Sequence, residues 1–162
     1  MTENQVIRKE LLALLKGGNA HMSFDEALAN FPLGEINREV PNGGYTVWHL
    51  LEHMRIAQWD ILRFVVDPKH VSPEFPAEYW PKPGAKATHG QWKKTIEKIK
   101  AGTAALEKLA SDPNTDFFSP IPHAKEYTIF REILLAADHN VFHLSELITV
   151  RRILNLNPVK EY

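Results

Sequence analysis

The chain has 162 residues, 44% of them hydrophobic and 24% charged, and a net charge of −1. That length suits one domain spanning residues 1–162, and a near-zero charge gives no electrostatic basis for nucleic acid or an anionic membrane as a partner. Cysteine is absent, which excludes disulfides, thiolate metal sites and cysteine nucleophiles and fits a cytoplasmic protein.

Residues 4–16 predict a first helix, with Val6, Ile7, Leu11, Leu14 and Leu15 at helical spacing and Gly17-Gly18 as its stop. The opening stretch mixes charges into its apolar positions, so no signal peptide is expected. A short helix follows in "SFDEALANFP": Ser23 is its N-cap, Glu26 completes a capping box, and Pro32 ends it. After the turn-rich "GEINREVPNGGYT" comes a long helix over residues 46–66, where Leu50, Met54, Ala57, Ile61 and Phe64 line one stripe and Thr46 is the cap. Residues 68–87 carry five prolines and no periodic pattern. Phe75, Tyr79 and Trp80 need something to pack on, so this stretch reads as an ordered loop that lids a site.

Another helix runs over residues 89–110, and Gly102 weakens its middle by about 1 kcal/mol relative to alanine. A second loop leads to the last helix, over residues 128–154. No strand alternation is long enough to predict a sheet, and no apolar run approaches the roughly 18 residues of a membrane span. The fold class is therefore all-α: a four-helix bundle with a short extra helix and a long Pro/Trp-rich loop.

The last helix contains His139 and His143. Residues four apart on a helix lie one above the other, so two imidazoles at this spacing can enter one coordination sphere. They share a face with Glu132, Leu135, Glu146 and Val150, while Ile133, Leu134, Ala137, Val141, Leu144 and Ile148 form the other. One such pair is weak evidence. The helix over 46–66 supplies a second, His49 and His53, beside Ile56 and Asp60, and helix bundles build metal sites from side chains on facing helices. Spacing does not choose between His49 and His53. With four histidines the site would be closed and structural; with three, one position stays open.

The pattern "TVWHLLEHMRIAQWDIL", then "PAEYWP", then "PIPHAKEYTIFREILLAADHNVFHLSELITVRRIL" resembles the DinB-like family, YfiT-like metal-dependent four-helix-bundle proteins, over residues 4–155. The resemblance implies a divalent metal (zinc, nickel or iron) on His53, His139 and His143, because the family's first ligand ends a W-x-x-L-x-H stretch. It also implies a small-molecule substrate and thiol-dependent transfer, with a low-molecular-weight thiol as cosubstrate, or hydrolysis. The alternative is a non-catalytic metal-binding, stress-related or ligand-sensing bundle. Ser145 stands where relatives often have glycine, and Glu126-Tyr127 where some have Gly-Gln; the second departure loosens any carry-over of substrate.

His123 reads as a loop histidine beside proline, with an acid, base or anion-binding role as the alternative. Asp60, Asp138 and Glu146 are the carboxylates placed to accept the second N–H of a ligand imidazole. Trp48, Trp59, Trp80 and Trp92 read as core and lid packing, with Trp80 the candidate pocket wall. Arg151 and Arg152 read as structural charges near a helix C-terminus. Apolar residues around most of the last helix predict a homodimer.

Overall fold

A computed structural model describes residues 1–156; residues 157–162 of the expected domain lie outside the described residues. The elements are α1 (Glu3–Lys16), α2 (Phe24–Leu28), a 3-10 turn (Leu33–Glu35), α3 (Val47–Val66), α4 (His89–Ser111), β1 (Pro120–Ile121), β2 (Ala124–Thr128) and α5 (Ile129–Ile153). Each α-helix starts on a hydroxyl that accepts a backbone N–H: Thr2, Ser23, Thr46, Thr88 and Thr128. These caps satisfy donors that have no partner within the helix, which fixes where each helix begins.

The expectation of no strands is corrected. Ile121 pairs with Ala124 and Pro120 with Thr128 in a small antiparallel hairpin leading into α5. A two-residue strand is too short for any alternation to show in sequence, and its turn is set by tertiary position rather than by periodicity.

Helix directions follow from cross-bundle hydrogen bonds. Trp48 Nε1 donates to Thr95 Oγ1 at 3.3 Å, and Gln58 bonds Thr103, so α3 and α4 run parallel. Tyr45 bonds Glu146 while His123 bonds the Phe64 carbonyl, so α5 runs antiparallel to α3. Arg8 of α1 reaches the carbonyls of Ala110 and Asp112, while Leu15 and Lys16 further along line a cavity with Ile99 and Thr103, so α1 runs antiparallel to α4. The topology is up, down, down, up. Two parallel neighbours cannot be joined by a short turn. The chain must travel back about 30 Å along the 20-residue α3 before α4 can start. Residues 67–88 make that crossover, which is why so long a loop is compatible with a bundle.

The crossover is fastened along one stripe of α3. His70 Nε2 and Tyr79 Oη bond Asp60, His53 bonds the Tyr79 carbonyl, and His49 Nε2 bonds the Ala85 carbonyl at 2.8 Å. Asn37 then bonds both the N–H and the carbonyl of Ala87. The apolar stripe beside it faces the core, where Leu50, Leu51 and Met54 pack with Ile99, Leu144 and Leu147. A second cluster, Leu11, Ile61, Leu106, Phe117, Ile133 and Ala136, fills the other end.

Trp48 and Trp92 are core residues, as expected, but Trp59 is 43% exposed. It lies off the stripe of Ala57 and Ile61, and its ring meets the edge of His70. Phe75 is likewise exposed, although Tyr79 and Trp80 do pack. On α5, Glu132 is buried on the mixed face while Leu134, on the apolar one, is exposed. Phe142 and Ile153 also face solvent; neither α2 nor the crossover covers them. Arg151 is structural in a more specific way than a helix-end charge: it is 2% exposed and donates to the carbonyls of Ala27 and Ala29, closing the C-terminus of α2.

Gly102 also has a tertiary reason. A Cβ there would lie 2.6 Å from Gln58 Oε1. Gln58 is buried and held by Thr103 and, in its better-satisfied amide orientation, by Ile99 and Asn140. Gly102→Ala is therefore expected to lower stability by about 1–3 kcal/mol despite its gain in helix propensity. Urea denaturation checks this; a stabilised variant would show that Gln58 moves aside freely.

Candidate metal centre

α3 brings His53, and α5 brings His139 and His143, to one point between the two antiparallel helices. A ring nitrogen from each lies within 4.8 Å of those of the others. His53 Nε2 is 3.1 Å from His143 Nε2 and 3.2 Å from His139 Nε2. Two nitrogens bound tetrahedrally at about 2.0–2.1 Å to one ion stand roughly 3.3 Å apart, close to this spacing.

The outer ring atoms fix the tautomers. His53 Nδ1 is 2.9 Å from the Tyr79 carbonyl, and His143 Nδ1 is 2.7 Å from Glu146 Oε2. A carbonyl and an ionised carboxylate only accept, so both Nδ1 atoms carry the proton and both Nε2 atoms present bare lone pairs. Two lone pairs facing each other at 3.1 Å need a cation or a proton between them. His139 can donate through Nε2 to only one of them, and its Nδ1 is buried with no hydrogen-bond partner. Burial pushes the His139 ring down to about 4, and the neighbouring His143 and His53 add to the shift. Burial also lowers His53, against the Tyr79 carbonyl. Both shifts favour the neutral form of His139 and His53, the form in which an imidazole binds a metal. The donor set fits a divalent cation.

The supports extend outward. Glu146, which orients His143, is itself held by the Tyr45 hydroxyl. Burial and then the Glu146 carboxylate push the Tyr45 phenol far above its ordinary range, so it remains a donor. Asp60 does not touch a ligand ring, contrary to one expected role. It accepts from Tyr79 Oη at 2.5 Å and so holds the residue whose carbonyl holds His53. Trp80 stacks on His53 at 4.0 Å with the planes 4° apart.

His49 does not join the group, because its Nε2 is committed to the Ala85 carbonyl. His123 is exposed and bonds the Phe64 carbonyl at the far end of α3. Asp138 is exposed and lines the adjoining groove, whose volume is about 1280 Å3. Tyr45, His70 and Tyr79 were not foreseen as site residues. They sit in turns and in the crossover, where no periodicity marks a facing side chain, and Tyr79 acts through its backbone.

The sequence model of the DinB superfamily matches residues 19–147. The chain belongs to the DinB superfamily. The match runs from the turn before α2 into α5 and takes in all three histidines of the group, while α1 lies before it. No curated protein and no solved structure matches the chain. This DinB superfamily chain is a helical bundle, and among the described residues no helix is long and apolar enough to cross a membrane.

Proposed function

We propose that the protein is a metal-dependent enzyme of the transferase or hydrolase type, with one divalent cation held by His53, His139 and His143. The observation that carries this reading is the convergence of three Nε2 atoms, with those of His53 and His143 facing each other at 3.1 Å while their Nδ1 atoms are tied to the Tyr79 carbonyl and to Glu146. Three imidazoles leave the ion its full charge and one position open. A cation there supplies Lewis acidity: it polarises a substrate oxygen and lowers the pKa of water or a thiol.

The chain's own residues do the positioning. Glu146 and the Tyr79 carbonyl hold the two proton-bearing Nδ1 atoms and keep the ring planes aimed inward. Trp80 covers one face of His53 and keeps water from it. His143 and Glu146 also line the groove, so a small molecule bound there reaches the histidine group. Among the described residues, Lys82 is the one lysine or arginine lining the groove, against Asp138 and Glu146. A thiol cosubstrate with one carboxylate fits this balance better than one with several.

The non-catalytic alternative calls for a fourth protein ligand, and the commitment of His49 to the crossover speaks against it. The test is elemental analysis of purified protein, followed by hydrolysis of an activated ester and thiol conjugation of a generic electrophile, with and without chelator. One equivalent of metal and a chelator-sensitive rate in either assay are expected. Rates indifferent to chelation would remove the enzymatic reading.

A further inference from the structure

We propose that the groove beside the histidine group takes a substrate with a long, unbranched apolar tail. The inference rests on the metal-dependent reading above and names the substrate class of that same site. The groove floor is α5, where Phe142, Glu146, Val150 and Ile153 recur at spacings that keep them on one side of the helix. From Phe142 to Ile153 the helix rises about 16 Å. The opposite wall is the crossover, through Pro76, Trp80, Pro81 and Pro83. Prolines fix their own backbone angles, so this wall is rigid before anything binds and little ordering cost falls on the ligand.

The charged residues of the groove floor stand at one end. His143, Glu146 and Asp138 sit at the histidine end. Towards the end of α5 the described residues of the floor are Thr149, Val150 and Ile153, which bear no charge, while Lys82 stands on the crossover wall. Phe142 is 67% exposed and Ile153 57%, an expense of apolar surface to water that the bundle core does not require. A polar head directed at the histidines would pack beside Phe142, and an apolar tail running on to the end of α5 would cover Ile153. A compact or highly charged substrate would leave them wet.

The experiment is equilibrium binding of straight-chain alkanoates, from butanoate to dodecanoate, to the full chain with and without zinc, by calorimetry. Affinity is expected to rise roughly fourfold per methylene until the groove is filled, with the same slope in both metal states. Ile153→Asp at the exposed helix end, and Thr149→Trp in mid-groove, should each flatten the slope for long chains and leave butanoate unchanged. Affinity independent of chain length, or a slope that neither variant alters, would overturn the proposal. So would sedimentation showing a dimer that Ile153→Asp splits, because a second copy would then cover Phe142 and Ile153. The two readings fail separately. Zinc-loaded protein inert towards every ester yet binding long alkanoates in the groove would remove the catalysis and keep the tail site. Chelator-sensitive hydrolysis with no chain-length preference would do the reverse.

Discussion

His53→Ala is expected to weaken divalent-metal binding by at least 100-fold and to abolish any chelator-sensitive activity. His53 is the one ligand that α3 contributes, and its Nε2 is within 3.2 Å of both partners. Removing it leaves a two-histidine site on α5 alone, which does not hold a divalent ion against water. The variant also loses the Trp80 stack and the tie to the Tyr79 carbonyl. A graded series separates metal binding from general damage. Glu146→Ala should weaken binding about 10–100-fold, because His143 loses the acceptor that orients it. Tyr45→Phe acts one bond further out and should weaken binding less. His49→Ala should leave metal affinity unchanged while loosening the crossover, since its partner is the Ala85 carbonyl. Titration against a chromophoric chelator gives each affinity. A loss at His49→Ala equal to that at His53→Ala would contradict the geometry.

Acidification of the metal-free protein is expected to lower its stability between pH 6.5 and about 4. His139 falls from 6.5 in the unfolded chain to about 4 in the folded one, chiefly through burial. In that window the unfolded state binds the extra proton, so stability rises with pH. The contribution is fully present above 6.5, is lost as pH falls towards 4, and declines no further below that. Its full size is roughly 3 kcal/mol, or about 6–12 °C in Tm for a chain of this length. Burial shifts His53 in the same direction. Carboxylates held low by hydrogen bonds, such as Asp116 and Asp67, lose their contribution at lower pH, as they protonate. The His139→Gln variant isolates the histidine: its Tm should be flatter between pH 6.5 and 4 than that of the parent, with chelator in both samples. Parallel curves would mean that His139 titrates alike in both states. Bound metal makes the acid loss steeper, because protons and the cation compete for the same lone pairs.

Much of this molecule is determined locally. Hydroxyl caps at Thr2, Ser23, Thr46 and Thr88, with the apolar stripes that follow them, specify helices without reference to the rest of the chain, because period and capping are short-range physics. The HxxxH spacing of His139 and His143 is legible for the same reason: four residues on a helix is a fixed geometry. The choice between His49 and His53 is different. Both lie on one stripe of α3, and only the path of the crossover decides that His49 meets the Ala85 carbonyl while His53 meets the other two rings. Asp60, Tyr79 and Tyr45 acquire their roles in the same way, through contacts between segments distant in sequence. The small hairpin before α5 and the burial of Arg151 against α2 are likewise products of packing. The sequence by itself determined the helices and the ligand types. The tertiary structure decided which imidazoles converge, because convergence depends on how the crossover returns along α3 and sets α4 parallel to it.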